Sequence, residues 1–131
     1  MEFTLKTHIR ASAQDIYKAW LSSEGHTEMT GAVATSSDKV GDEYSAWDGY
    51  ITGKNLELDP FRRIYQSWRT TDFSEDEPDS RLEVILEQTD DRTTITLKHT
   101  NLPDHGEQYR TGWEDHYFQS MKVYFTKSKS K

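Results

Sequence analysis

The sequence contains no cysteine, which removes disulfide frameworks, thiolate nucleophiles and cysteine zinc sites together. It contains no basic stripe either. With a formal net charge of −7, the chain is a poor match for phosphate backbones or anionic bilayers, so no nucleic acid and no membrane are expected as partners. Long apolar runs are missing. The opening stretch MEFTLKTHIR alternates polar and apolar residues, reads neither as a signal peptide nor as a membrane span, and sets the expectation of a cytoplasmic location. Glycine-rich phosphate loops, a G-x-S-x-G turn and an H-E-x-x-H helix do not occur. The five histidines, His8, His26, His99, His105 and His116, are scattered without an i, i+4 metal-like partner, so neither a metal nor another cofactor is expected.

Hydrophobic residues are also scarce, at 33%, but the 12% aromatic share places the burial in a few large side chains. Each contributes roughly 1.5–3 kcal/mol when fully buried. A chain of 131 residues can bury a real core that way, and one domain spanning 1–131 is expected.

Phe3, Leu5, Thr7 and Ile9 alternate with polar neighbours and predict a half-buried first strand. Ser12 with Asp15 three residues on predicts a capped helix through Leu21, and a second short helix is read over Glu24 to Met29. Antiparallel strands follow. Asp48-Gly49 is the strongest hairpin signal, because a type I′ turn needs positive φ at both central positions. Gly53, inside the next strand, predicts a bulge. Asp72 to Asp79 holds five acidic residues and is read as a solvated loop, with docking of a basic partner as the sharper reading. The lysine-rich end, Lys127, Lys129 and Lys131, is read as a solvated tail. The last segment, DHGEQYRTGWEDHYFQSMKVYF, repeats Tyr109, Trp113, Tyr117, Met121 and Phe125 every fourth residue, with Phe118 widening the stripe. Strand, two short helices, a run of strands and one long helix together predict an α+β fold.

Four segments in order carry a resemblance: Thr4 to Leu21; Trp47-Asp48-Gly49-Tyr50-Ile51-Thr52-Gly53; Leu58-Asp59-Pro60 with Ile64 and Trp68-Arg69; and Gly112-Trp113 with Tyr117-Phe118 and Lys122. The chain resembles the C-terminal domain of the activator of heat-shock protein 90 ATPase, a member of the START-like (SRPBCC) helix-grip superfamily. One departure is Phe73, where the family often has tryptophan. The resemblance implies a curved antiparallel sheet of about six or seven strands wrapped on the long C-terminal helix. It also implies a non-enzymatic module that binds either a small apolar molecule between sheet and helix or a heat-shock protein 90-type chaperone. The alternative it leaves is a helix-grip enzyme acting on a cyclic or polyketide-like molecule, with a cavity histidine or carboxylate as acid and base.

Candidate cavity-lining residues follow from phase. Trp68 and Gln66 are in register with Ile64, and His99 with Ile95 and Leu97; Trp113, Tyr117 and Met121 lie on the helix stripe. Gln66 and His99 stand out because an inward polar group needs a partner, whether ligand, neighbouring side chain or water. No catalytic residue is assigned. His99 is the one candidate acid or base. Glu114, Asp115 and His116 are read as the helix's solvated face.

Overall fold

Strand β1 (Phe3–Ile9) leads into two short helices, α1 (Ala13–Trp20) and α2 (Ser23–Thr30), in the computed structural model, which describes residues 1–129 with side chains through Thr126. Of the lysine-rich end, Lys131 and the side chains of Lys127 and Lys129 lie outside the described residues. The Ser12 hydroxyl caps α1 by accepting the Asp15 N–H at 3.0 Å, and Ser22 does the same for α2 through Gly25.

The strands β2 (Glu43–Ala46), β3 (Ile51–Asp59), β4 (Arg63–Thr70), β5 (Ser80–Gln88) and β6 (Thr93–Thr100) complete a six-stranded sheet in the order β1-β6-β5-β4-β3-β2. Every pairing is antiparallel. Cross-strand rows follow the expected phase. Ile64, Val84, Leu97 and Leu5 form one row, and Gln66, Leu82, His99 and Phe3 the next. The second row is wholly buried and carries both inward polar residues into the core.

One expectation needs correction. The register shift in β3 falls between Asn55 and Glu57, not at Gly53, which pairs in register with Tyr44. Gly53 is a site of close approach instead. A Cβ there would strike the Ser67 carbonyl oxygen and stand 2.6 Å from the Tyr44 ring, whose hydroxyl donates to that same carbonyl at 2.7 Å. The acidic loop is exposed at Asp72, Ser74, Glu75, Asp76 and Pro78, as expected, and is also tied down. Phe73 is buried, Arg69 donates to the Ser74 and Glu77 carbonyls and to Asp79, and His105 meets Glu77 at 3.0 Å.

A short 3₁₀ turn, Asp104–Gly106, opens the terminal helix, which continues as α3 (Glu107–Gly112), a π turn (Trp113–Phe118) and α4 (Gln119–Lys129). The π turn accounts for the four-residue stripe. In an α-helix each step of four residues overshoots a full turn by about 40°. Five such positions would therefore spiral off one face. The wider turn, in which the Gln119 N–H reaches back five residues to the Glu114 carbonyl, cancels part of that drift. Tyr109, Trp113, Tyr117, Met121 and Phe125 consequently all stay buried. A sheet closed on one long helix, with two short helices after the first strand, is the helix-grip arrangement.

Candidate functional site

Sheet and helix do not meet everywhere. A pocket of about 340 Å³ opens between the β2–β3 hairpin, strand β4 and the terminal helix. The hairpin contributes Trp47, Tyr50 and Ile51, and β4 contributes Trp68. The helix contributes Tyr109, Gly112, Trp113, His116 and Tyr117. A larger groove of about 950 Å³ runs over Glu43, Lys54, Arg69, Asp79 and Arg81, but it is an open polar surface in which Arg69 is already paired with Asp79 at 2.9 Å. The aromatic pocket is the better-formed site.

The hairpin's geometry aims Trp47 into it. Asp48 and Gly49 take the positive φ angles, 58° and 88°, that the turn requires, and Tyr50 N–H closes the turn on the Trp47 carbonyl at 3.1 Å. Trp47 itself sits at φ 54°. A left-handed backbone at a bulky residue costs on the order of 1–3 kcal/mol and persists only where neighbours hold it. The hold comes from the turn bond and from Asp48 N–H, which donates to the Val33 carbonyl at 3.0 Å. The Trp47 ring meets His116 at 5.8 Å and Tyr117 at 6.1 Å, edge to face in both cases.

Behind the helix wall lies Trp20 of α1. Its ring runs nearly parallel to Trp113 (16°, centroids 6.1 Å) and to Tyr117 (27°, 5.4 Å). Trp20 does not reach the pocket; Trp113 and Tyr117, packed on each other at 4.5 Å, stand between it and the open space. Gly112 adds room. Its backbone is ordinary right-handed helix, and a Cβ built there would meet nothing within 4 Å. Neither backbone geometry nor crowding calls for glycine at that position; the missing side chain leaves pocket space open.

The polar atoms of four wall residues are engaged away from the pocket. Tyr117 donates to His26 Nε2 at 2.9 Å, while the other ring nitrogen of His26 meets the Trp20 carbonyl at 2.8 Å and therefore carries the proton. Tyr109 pairs with Thr70 Oγ1 at 2.6 Å, and Tyr50 donates to Asp72 at 2.6 Å. Burial, reinforced by the Asp72 bond, raises the Tyr50 hydroxyl well above the usual tyrosine range. Trp113 Nε1–H donates to His99 Nδ1 at 3.0 Å.

That last bond settles His99. With Nδ1 accepting, the neutral ring's proton is on Nε2, 2.8 Å from Ser80 Oγ, and Ser80 in turn donates to the Trp68 carbonyl at 2.6 Å. Burial pushes the imidazole down to about 3, so it is neutral across the ordinary pH range. Its partners are two side chains, and both nitrogens are occupied.

Of the residues expected on a cavity wall, Trp68, Trp113 and Tyr117 line the pocket. Gln66, His99 and Met121 lie in the packed core beside it. Gln66 donates to Asn55 Oδ1 at 2.9 Å, and its own Oε1 is buried without a partner. Met121 is completely buried under the sheet. Strand phase identifies inward residues, but it cannot say which inward residues meet another side chain and which meet space. The wall residues not anticipated are Trp47, Tyr50, Ile51, Tyr109, Gly112 and His116. Alternation places Trp47 opposite the buried Ala46, and only the left-handed backbone at Trp47 breaks that alternation. His116 reaches the rim across the π turn. Among the described residues no group of three or more His, Asp or Glu is arranged to hold a metal ion.

Comparison with known proteins agrees with this architecture. The model of the Activator of Hsp90 ATPase homolog 1-like protein family matches residues 10–126. The chain belongs to that family. The human activator of 90 kDa heat shock protein ATPase homolog 1 is 24% identical over 125 residues, covering 95% of this chain but 37% of its own length. The Dictyostelium discoideum homologue is likewise 24% identical and covered over 33% of its length. The chain thus spans about a third of the curated relatives it matches. Among solved structures, an HSP90 activator from Plasmodium falciparum superposes with a TM-score of 0.86 at 22% identity, over 94% of both chains. The Aha1 dimer from Colwellia psychrerythraea does so with a TM-score of 0.81 at 18% identity, over 95% of this chain and 96% of that one. At these identities the structural likeness is one of fold. Among the described residues no helix is long and apolar enough to cross a membrane.

Proposed function

We propose that this chain is a non-enzymatic START-like domain, one unit across residues 1–131, whose aromatic pocket takes a small apolar ligand of one or two rings. The observation that carries this reading is the pocket itself: about 340 Å³, walled almost entirely by aromatic side chains, with four of their polar atoms bonded elsewhere. That volume lies at the small end of the range for ligand sites, roughly 300–1,000 Å³, which favours compact ring systems over lipid chains. The enzyme alternative loses its named residue and keeps only His116 as a histidine on the wall. Its one named acid or base, His99, is neutral, doubly hydrogen-bonded and away from the pocket wall.

The test is a titration of tryptophan fluorescence with a panel of one- and two-ring compounds, since Trp47, Trp68 and Trp113 all line the pocket. Saturable quenching at micromolar to low millimolar ligand supports the reading. A flat response across the panel refutes it.

Membership of the family favours a second reading, contact with a heat-shock protein 90-type ATPase. Its check is ATP turnover of the purified chaperone with and without this protein, together with co-elution. Unchanged turnover and separate elution would end it.

A further inference from the structure

We infer that the pocket's ligand carries, beside its one or two apolar rings, a positive charge in a methylated ammonium group, an inference that rests on the pocket being a ligand site. Three features of the wall point to that chemistry.

The first is what the wall offers electrostatically. Six of the nine lining residues are Trp or Tyr, and Trp20 backs two of them, Trp113 and Tyr117, in near-parallel stacking. Trp47 stands at 74° to Tyr117 and Tyr109 at 77° to Trp68, while Trp113 is tilted by 38° to Trp68 and 41° to Tyr117, so the rings surround the space at varied angles. Aromatic faces are the negative side of the ring quadrupole, and a box of them stabilises a cation at its centre. A neutral hydrocarbon of the same shape gains only burial.

The second is the charge nearby. No lysine or arginine lines the pocket. The Asp72 carboxylate lies directly behind the wall, accepting the Tyr50 hydroxyl at 2.6 Å. The chain's net charge of −7 draws cations in the same direction.

The third separates methylated from unmethylated ammonium. The hydroxyls of Tyr50, Tyr109 and Tyr117 are held by Asp72, Thr70 and His26. A primary ammonium entering here would trade water for few acceptors, the remaining lone pairs of hydroxyls already engaged and the His116 ring. A trimethylammonium group has no N–H to satisfy and presents charge through methyl groups, which suit an apolar wall.

Phenyltrimethylammonium and tert-butylbenzene differ only in N⁺ for carbon, so the pair isolates the charge. Each is titrated into the full chain, following tryptophan fluorescence and the indole N–H resonances, alongside benzylammonium. The cation is expected to bind at least about tenfold more tightly than the hydrocarbon and more tightly than benzylammonium. Trp47→Leu keeps an apolar wall but removes a ring, and should shrink the preference for the cation over the hydrocarbon. Equal or tighter binding of tert-butylbenzene overturns the inference while leaving the apolar-ligand reading intact. Benzylammonium binding as well as phenyltrimethylammonium overturns the requirement for methylation. Binding of none of the three removes both the inference and the reading beneath it. Should Trp47→Leu fail to fold by circular dichroism, the ratio measured on the unaltered chain still decides.

Discussion

Two glycines mark two opposite kinds of space in this molecule. At Gly53, where β2, β3 and β4 meet, a single added carbon would strike the Ser67 carbonyl and the Tyr44 ring; at Gly112, on the terminal helix, it would meet nothing within 4 Å. Around Gly53 the interior is filled and hydrogen-bonded. Around Gly112 it is lined but left open. The same contrast runs through the aromatic residues. Trp68, Tyr109 and Trp113 touch both regions, packing against His99 within ring-centroid distances of 4.4–6.5 Å on one side and walling the pocket on the other. Residue chemistry is therefore nearly constant across the boundary. What differs is whether the opposing layer supplies a partner: Phe3 and His99 fill one side, and a tight hairpin spans the other.

The largest expected effect lies on the filled side. Trp113→Ala should destabilise by about 3–5 kcal/mol in chemical denaturation, since it leaves a large cavity and removes the donor to His99 Nδ1. A loss below 1 kcal/mol would mean that the His99 cluster is not closely packed. Gly53→Ala should cost about 1–3 kcal/mol by the same measurement, because the obstructing atoms include backbone that cannot yield cheaply. An unchanged midpoint would show that the close approach of β3 to β4 is relaxed in solution.

The buried histidines give a pH dependence whose direction follows from linkage. His99 titrates near 3 in the fold against 6.5 for the ordinary group, and burial lowers His26 as well. Below pH 6.5 the unfolded chain takes up protons that the native state refuses. The His99 contribution is complete above about pH 6.5 and is lost as pH falls toward 3, at up to about 1.4 kcal/mol per pH unit, and His26 acts in the same direction. Denaturation midpoints collected between pH 7.5 and 4.5 check this, and His99→Gln should remove the His99 share of the slope.

On the open side the expected sign reverses. Gly112→Ala should stabilise by up to about 1 kcal/mol, the usual penalty of glycine in a helix, since no contact opposes it. A destabilised variant would mean that the pocket closes in solution and that the comparison of the two glycines fails.

Much of the fold was legible because it depends on period and turn chemistry. Ile64-Gln66-Trp68 and Ile95-Leu97-His99 did lie inward, and Asp48-Gly49 did make the hairpin. The helix stripe was legible as a face, but its repeat of four, rather than 3.6, was itself the trace of a π turn. The remaining features depend on through-space neighbours. Gly53 looked like a bulge because nothing local announces Ser67 and Tyr44 above it. The partner that His99 was expected to need had no local trace, because Ser80 and Trp113 come from another strand and the helix. Trp47 was hidden by a left-handed backbone that alternation does not foresee.

The central claim is that the space beside Gly112 is a ligand site. Affinity for phenyltrimethylammonium, measured by calorimetry on the unaltered chain and on Gly112→Leu, tests it most directly. A Cβ at this pocket-lining position meets nothing within 4 Å, so the leucine side chain starts into open space. Binding should be lost in a variant whose thermal midpoint is unchanged or higher. Equal binding by a folded Gly112→Leu would place the ligand elsewhere and contradict the account.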